Sequence, residues 1–133
     1  MSVGSLDSTA ASIASGIEAG WPDSDLVRLL VEAIHEFEHR DDPLQQRDFL
    51  NEPRHTGDTG WDAALAALAV HLVRAAGFER VPSWTLGADR YSPTFRWIGL
   101  APDSELNAFV FQRTPVYFKA RGVMIDEANL VSV

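Results

Sequence analysis

Residues 35–39 read His-Glu-Phe-Glu-His, an H-E-x-x-H spacing. On a helix, His at i and i+4 share a face and offer Zn²⁺ two imidazoles, while the intervening Glu can activate a metal-bound water. His35 and His39 as ligands, with Glu36 as base, therefore define a candidate zinc-dependent hydrolase site. Its phase argues against it. Leu26, Leu30, Ala33, Ile34 and Phe37 form an apolar stripe, and at ~100° per residue both His lie about 160° from its centre near Phe37. Charged Glu38, Arg40, Asp41 and Asp42 surround the pair, and the extended zinc pattern wants Gly at 42 and His at 45, where this chain has Asp42 and Gln45. The stretch reads better as the solvated face of a packed helix with charges paired at i,i+4.

Other chemistry is thin. There is no G-x-x-x-x-G-K-[ST] or G-x-G-x-x-G phosphate loop and no G-x-S-x-G elbow. The chain has no Cys, which removes thiol catalysis, disulfides and thiolate metal sites. His55 lies in a Gly/Pro loop and reads as solvated; His71 lies at the boundary of a helix stripe and reads as a structural hydrogen-bonding residue. No catalytic residue, metal or cofactor is expected.

The unusual feature is aromatic. Trp84, Tyr91, Phe95, Trp97, Phe109, Phe111, Tyr117 and Phe118 fall in an irregular stretch interleaved with Arg80, Arg90, Arg96, Arg113 and Arg121. Such residues build a minor core or anchor an interface, where Trp, Tyr and Arg are enriched. A small-molecule sensor would use the same segment, but no motif names its ligand.

The elements that must position these groups are mostly helices. Residues 1–5 read as frayed, and a Ser- and Gly-containing helix of low propensity spans Leu6–Ala19. The helix through residues 35–39 is expected to be capped by Asp23 or Ser24 and closed before Pro43, which opens a turn of helix over Leu44–Leu50. Residues 51–60 (NEPRHTGDTG) form a loop. A helix over Trp61–Ala76 carries Trp61, Leu65, Leu68 and Leu72 on one side and ends at Gly77. Residues 106–112 are too short for periodicity to separate helix from strand. Thr114 is expected to cap a short helix opened by Pro115 and closed by Gly122; residues 123–125 read as a strand and Asp126 as the cap of a last turn. The expectation is one domain, 1–133, mainly α: a three- to four-helix bundle over about 6–76, with a small irregular or α+β portion over about 77–133.

Composition narrows the function classes. The 133 residues are 46% hydrophobic and 23% charged, with a net charge of −8. Residues 1–62 hold 13 acids and 4 bases (net −9), and residues 63–133 hold 6 acids and 7 bases (net +1). An acidic chain repels phosphate backbones, so direct nucleic-acid binding is not expected, whereas a basic protein partner suits the acidic half. No apolar run reaches the ~18–20 residues that span a bilayer, and no signal-peptide pattern is seen, so a cytoplasmic location is expected. Ten of the eleven bases are Arg and Ala is abundant, a mixture typical of GC-rich bacterial genomes.

Two stretches carry a resemblance. "TGDTGWDAALAALAVHLVRAAGFERVPSW" resembles a G-D-x-x-W-D-A loop and helix followed by P-x-W, and "TPVYFKARGVMIDEANLVSV" resembles [ST]-P-x-x-F-[RK]-x-R-G-[IV]-x-[IV] followed by an acidic turn. Both are patterns of poorly characterised actinobacterial antitoxin-like proteins, often fused to a helix-turn-helix module and encoded beside nucleotidyltransferase- or nuclease-type toxins. The first 20 residues here are too short for such a module. The resemblance implies a non-enzymatic, protein-binding role against a cognate toxin, and it makes His35-Glu36-Phe37 a variation on a structural helix. The expected partner contacts are Trp84, Tyr91, Phe95, Arg96, Trp97 and Arg121 as anchors, with Glu36 and Asp41 as acidic contacts.

Overall fold

The computed structural model describes residues 4–131. The expected fraying over residues 1–5 lies mostly outside them. Ser5 itself is ordered as the cap of helix α1 (Leu6–Glu18): its side chain accepts from the Ser8 N–H, and the Ser8 hydroxyl accepts from the Ser5 N–H. That reciprocal box offsets a poor intrinsic propensity. The glycine that weakens α1 has a packing use. A Cβ on Gly16 would stand 2.7 Å from both Leu26 and Trp21, so its absence lets the next helix close onto α1.

Helix α2 (Asp23–Glu38) buries the stripe its period predicts, Leu26, Leu30, Ala33, Ile34 and Phe37, together with Val27. Its cap differs from expectation. Neither Asp23 nor Ser24 caps it; Pro22 occupies the N-cap position without a side-chain bond. The Asp23 carboxylate instead accepts from the Gly99 N–H at 2.8 Å, a long-range tie that holds the C-terminal portion to the helix entrance. Short α3 (Pro43–Phe49) is capped by Asp42 and sets the Phe49 ring edge-on to Phe37, 5.8 Å between centroids.

Helix α4 (Thr59–Ala75) is the hub. It begins at Thr59, two residues before the expected start, and Asp58 caps it. Trp61, Leu65, Leu68 and Leu72 are buried as expected, but so is every residue from Gly60 to Val70. The helix is therefore not one-sided. Its alanines allow approach from all round, and α1, α2, the 3₁₀ turns, helix α6 (Val116–Lys119) and the small sheet all pack on it.

After α4 the chain makes 3₁₀ turns at Ser83–Leu86 and Ala88–Arg90, then strand β1 (Arg96–Trp97), helix α5 (Asn107–Arg113), α6, strand β2 (Val123–Met124) and a 3₁₀ turn at Glu127–Leu130. The two strands are parallel, Arg96 opposite Val123 and Trp97 opposite Met124. The mainly helical class with a small α+β portion is thus what the structure shows. The open segment 106–112 is helical from Asn107 onward. Asp126 caps its turn as expected, bonding the Ala128 N–H. Thr114 does not cap α6: its hydroxyl donates to the Val110 carbonyl at 2.7 Å and accepts from the Ile125 N–H at 3.1 Å, stitching α5 to β2.

Gly122 has φ +79°, and a Cβ there would stand 3.0 Å from the Ser92 carbonyl oxygen; Gly20 has φ +78° with nothing within 4 Å. Gly20→Ala should cost only the left-handed penalty, about 1 kcal/mol, whereas Gly122→Ala adds a backbone clash and should cost at least about 2 kcal/mol. Urea melts of the two variants measure the difference, and equal costs would contradict it.

Candidate functional site

The structure places the 35–39 stretch as its phase predicts. Phe37 is 3% exposed, while His35, Glu36 and His39 are exposed. His39 stands just beyond the last residue of α2, and its Nδ1 donates to the His35 carbonyl at 2.7 Å, turning the imidazole back to cap the helix end. Glu36 lies against Gly4, whose carbonyl accepts from Arg40 at 2.7 Å. Among the described residues no group of three or more His, Asp or Glu is placed to hold a metal. Elemental analysis of the purified protein should find far less than one zinc per chain, with no change in His35→Ala. Stoichiometric zinc lost in that variant would restore the hydrolase reading.

The loop before α4 explains the G-D-x-x-W-D segment physically. Asp62 is 5% exposed, and its carboxylate accepts from the Thr56 N–H at 2.7 Å and the Thr56 hydroxyl at 2.8 Å. Asp58 caps the Trp61 N–H and also receives the Arg96 guanidinium at 2.9 Å. A Cβ on Gly60 would stand 2.7 Å from Arg96, so glycine lets that arginine cross over the helix start. Trp61, 1% exposed, then enters the core. Asp58, Trp61 and Asp62 of that pattern each have an architectural task.

The aromatic–arginine set divides in two. One part is interior. Arg90 is 0% exposed, donates to the Pro53 carbonyl at 2.7 Å and stacks 4.9 Å over Trp84, whose indole N–H donates to the Leu50 carbonyl at 3.0 Å. Arg121 is buried, donates to the Thr85 and Tyr117 carbonyls and lies 5.1 Å over Tyr91; burial pushes its pKa down. The Arg96 guanidinium is engaged by Asp58, and Trp97 is half-buried in β1. Trp84, Arg96 and Arg121 thus hold the fold together.

The other part faces outward. Phe95, Leu106, Phe109 and Val116 are more than half exposed, and Phe111 and Tyr91 rather more than a third. Helix α5 buries only Val110, leaving Phe109 and Phe111 in solvent. Each has a cation beside it: Arg113 lies 5.3 Å from the Phe109 ring and Lys119 4.3 Å from the Phe111 ring. Phe109 and Phe111 belong to the aromatic set named from the sequence, whereas Leu106 and Val116 are not singled out there. Glu36 and Asp41 belong to the exposed α2–α3 end, and among the described residues no hydrogen bond or ion pair joins them to the aromatic segment.

Surface pairs pin the loops. The Arg54 guanidinium, and then the Arg54 backbone N–H, hold the Asp7 carboxyl at about 2 against an ordinary 3.8. His55 bonds Asp89 at 2.7 Å and lowers the Asp89 pKa; the Ala128 N–H and then Arg113 lower that of Asp126. A carboxylate with a depressed folded pKa contributes stability above its unfolded value and loses it as pH falls through the folded one. Asp7 should therefore make unfolding more favourable between about pH 4 and pH 2, and Asp7→Asn should flatten the fall of Tm in that window. An unchanged profile would show that the pair contributes nothing.

No family model, curated protein or solved structure matches the chain.

Proposed function

We propose that this chain is a non-enzymatic protein-binding module of the antitoxin type, which neutralises a cognate nucleotidyltransferase- or nuclease-like toxin by direct contact. The observation that carries the reading is the uneven distribution of exposed apolar side chains. Of the ten large exposed hydrophobics among the described residues, Trp21 and Leu44 lie in the helical part, and the remaining eight lie between Leu86 and Val131. Apolar side chains gathered in one portion of a small protein mark interaction surfaces more often than catalytic ones. The acidic first half supports the same role: a net charge of −9 over residues 1–62 complements the basic substrate surface of an enzyme that handles nucleic acid or nucleotides. Apolar anchors supply burial and the acidic face supplies steering and choice of partner. No helix among the described residues is long and apolar enough to cross a membrane.

Co-expression with the product of the adjacent gene tests the reading. A tagged chain should retain that protein through size-exclusion chromatography, and raised salt should weaken the complex by slowing association. Two separately eluting proteins at every salt concentration would count against it.

A further inference from the structure

A cleft between the end of α3 and the Phe78–Trp84 segment has a charge opposite to that of the protein around it. It has a volume of about 310 Å³ and is lined by Leu50, Val73, Phe78, Val81, Pro82 and Trp84, with Arg47 and Arg80 among its polar residues. Leu50 and Val73 are buried and form an apolar floor. The indole is fixed in place by its bond to the Leu50 carbonyl. The Arg47 guanidinium lies 5.0 Å from the Phe78 ring centroid.

The electrostatics are one-sided. Among the described residues neither Arg47 nor Arg80 has a carboxylate within ion-pair distance. The acid that lines the cleft, Glu52, already has a counter-ion in Arg90, 3.7 Å away. Arg90 itself is fully buried over the Trp84 ring, and its Nε and Nη1 have no hydrogen-bond partner in the protein. With Glu52 offset by Arg90, the two unpaired guanidiniums of Arg47 and Arg80 leave this cleft electropositive in a chain of net charge −8. Aromatic walls favour a flat apolar body, and guanidiniums favour a carboxylate or phosphate, which they bind in a bidentate fork.

We propose that this cleft is a binding site for a small planar anion, an aromatic carboxylate or a molecule of like shape and charge. The ring lies against Trp84 and Phe78, and the anionic group meets Arg47 and Arg80. The site is independent of the exposed α5 side chains, so ligand binding and toxin binding are separate properties.

The test uses 2-naphthoate and its neutral amide, 2-naphthamide, titrated into the ¹⁵N-labelled chain. The readout is the indole N–H signal of Trp84, assigned by its loss in Trp84→Phe. Naphthoate should shift that signal and saturate with a Kd of about 1 mM or below, and naphthamide should bind about tenfold more weakly. Arg47→Gln and Arg80→Gln change exposed residues and should each weaken naphthoate about threefold while leaving naphthamide unaffected. Equal affinity for acid and amide would overturn the proposal. So would a Trp84 signal that moves no more than that of exposed Trp21, or naphthoate binding unchanged in both arginine variants.

Discussion

Trp61→Ala should remove about 3–5 kcal/mol of stability, the range for emptying a buried indole site. The residue is 1% exposed and enters the core in the first turn of α4. That helix is covered on every side, so no neighbour can move into the cavity without leaving its own contacts. A domain of this size is stable by about 5–15 kcal/mol, and the variant would lose a large share of it. Trp21 is the internal control. It is 46% exposed, and Trp21→Ala should cost under about 1 kcal/mol. Urea unfolding followed by far-ultraviolet circular dichroism compares the two. Similar midpoints would show that α4 is not the centre of the cooperative core.

The pair Phe109→Glu and Val116→Glu should act in the opposite manner, abolishing the proposed toxin complex while leaving the fold intact. Phe109 is 54% exposed and Val116 65% exposed, so neither carboxylate would be forced into the interior, and the unfolding midpoint should stay within about 0.5 kcal/mol of the parent. At a contact with the toxin the same carboxylates would be stripped of water without a partner, which costs several kcal/mol each. Two of them should weaken binding by at least about a thousandfold. Isothermal titration of the toxin with parent and variant measures this. Undiminished affinity would place the contact elsewhere, and the acidic α2–α3 end, with Glu36 and Asp41, would then be the face to alter.

Much of the helical part was legible because its signals are local. The α2 stripe repeats at the helical period, and Asp126 caps the turn it immediately precedes. The same reasoning misplaced Asp23 and Thr114, whose oxygens are taken by Gly99, 76 residues away, and by Ile125. A capping residue is read from its neighbours in sequence, but its hydrogen bond goes wherever the fold brings a better-placed donor. The parallel pairing of Arg96 with Val123 has no local signature at all. The arginines were the least legible. The sequence places Arg90 and Arg121 only among aromatics that could build a minor core or an interface; both are buried over aromatic rings with their guanidiniums on backbone carbonyls. Arg121, expected to meet a partner, is held by Thr85 and Tyr117 instead. Conversely, Phe109 and Phe111, open in sequence between a minor core and an interface, stand exposed on α5.

The histidine pair shows the same physics working in the other direction. Spacing alone offered a zinc site, and spacing combined with phase withdrew it. The structure agrees on the phase, with Phe37 packed against Phe49 and both imidazoles outside.

The most direct test of the proposed role is growth. Under that role, cells that express the product of the adjacent gene should stop dividing, and co-expression of this chain should restore growth. The Phe109→Glu, Val116→Glu double variant, expressed to the same level, should fail to do so. Arrest that persists equally with the parent chain and with the variant would contradict the account.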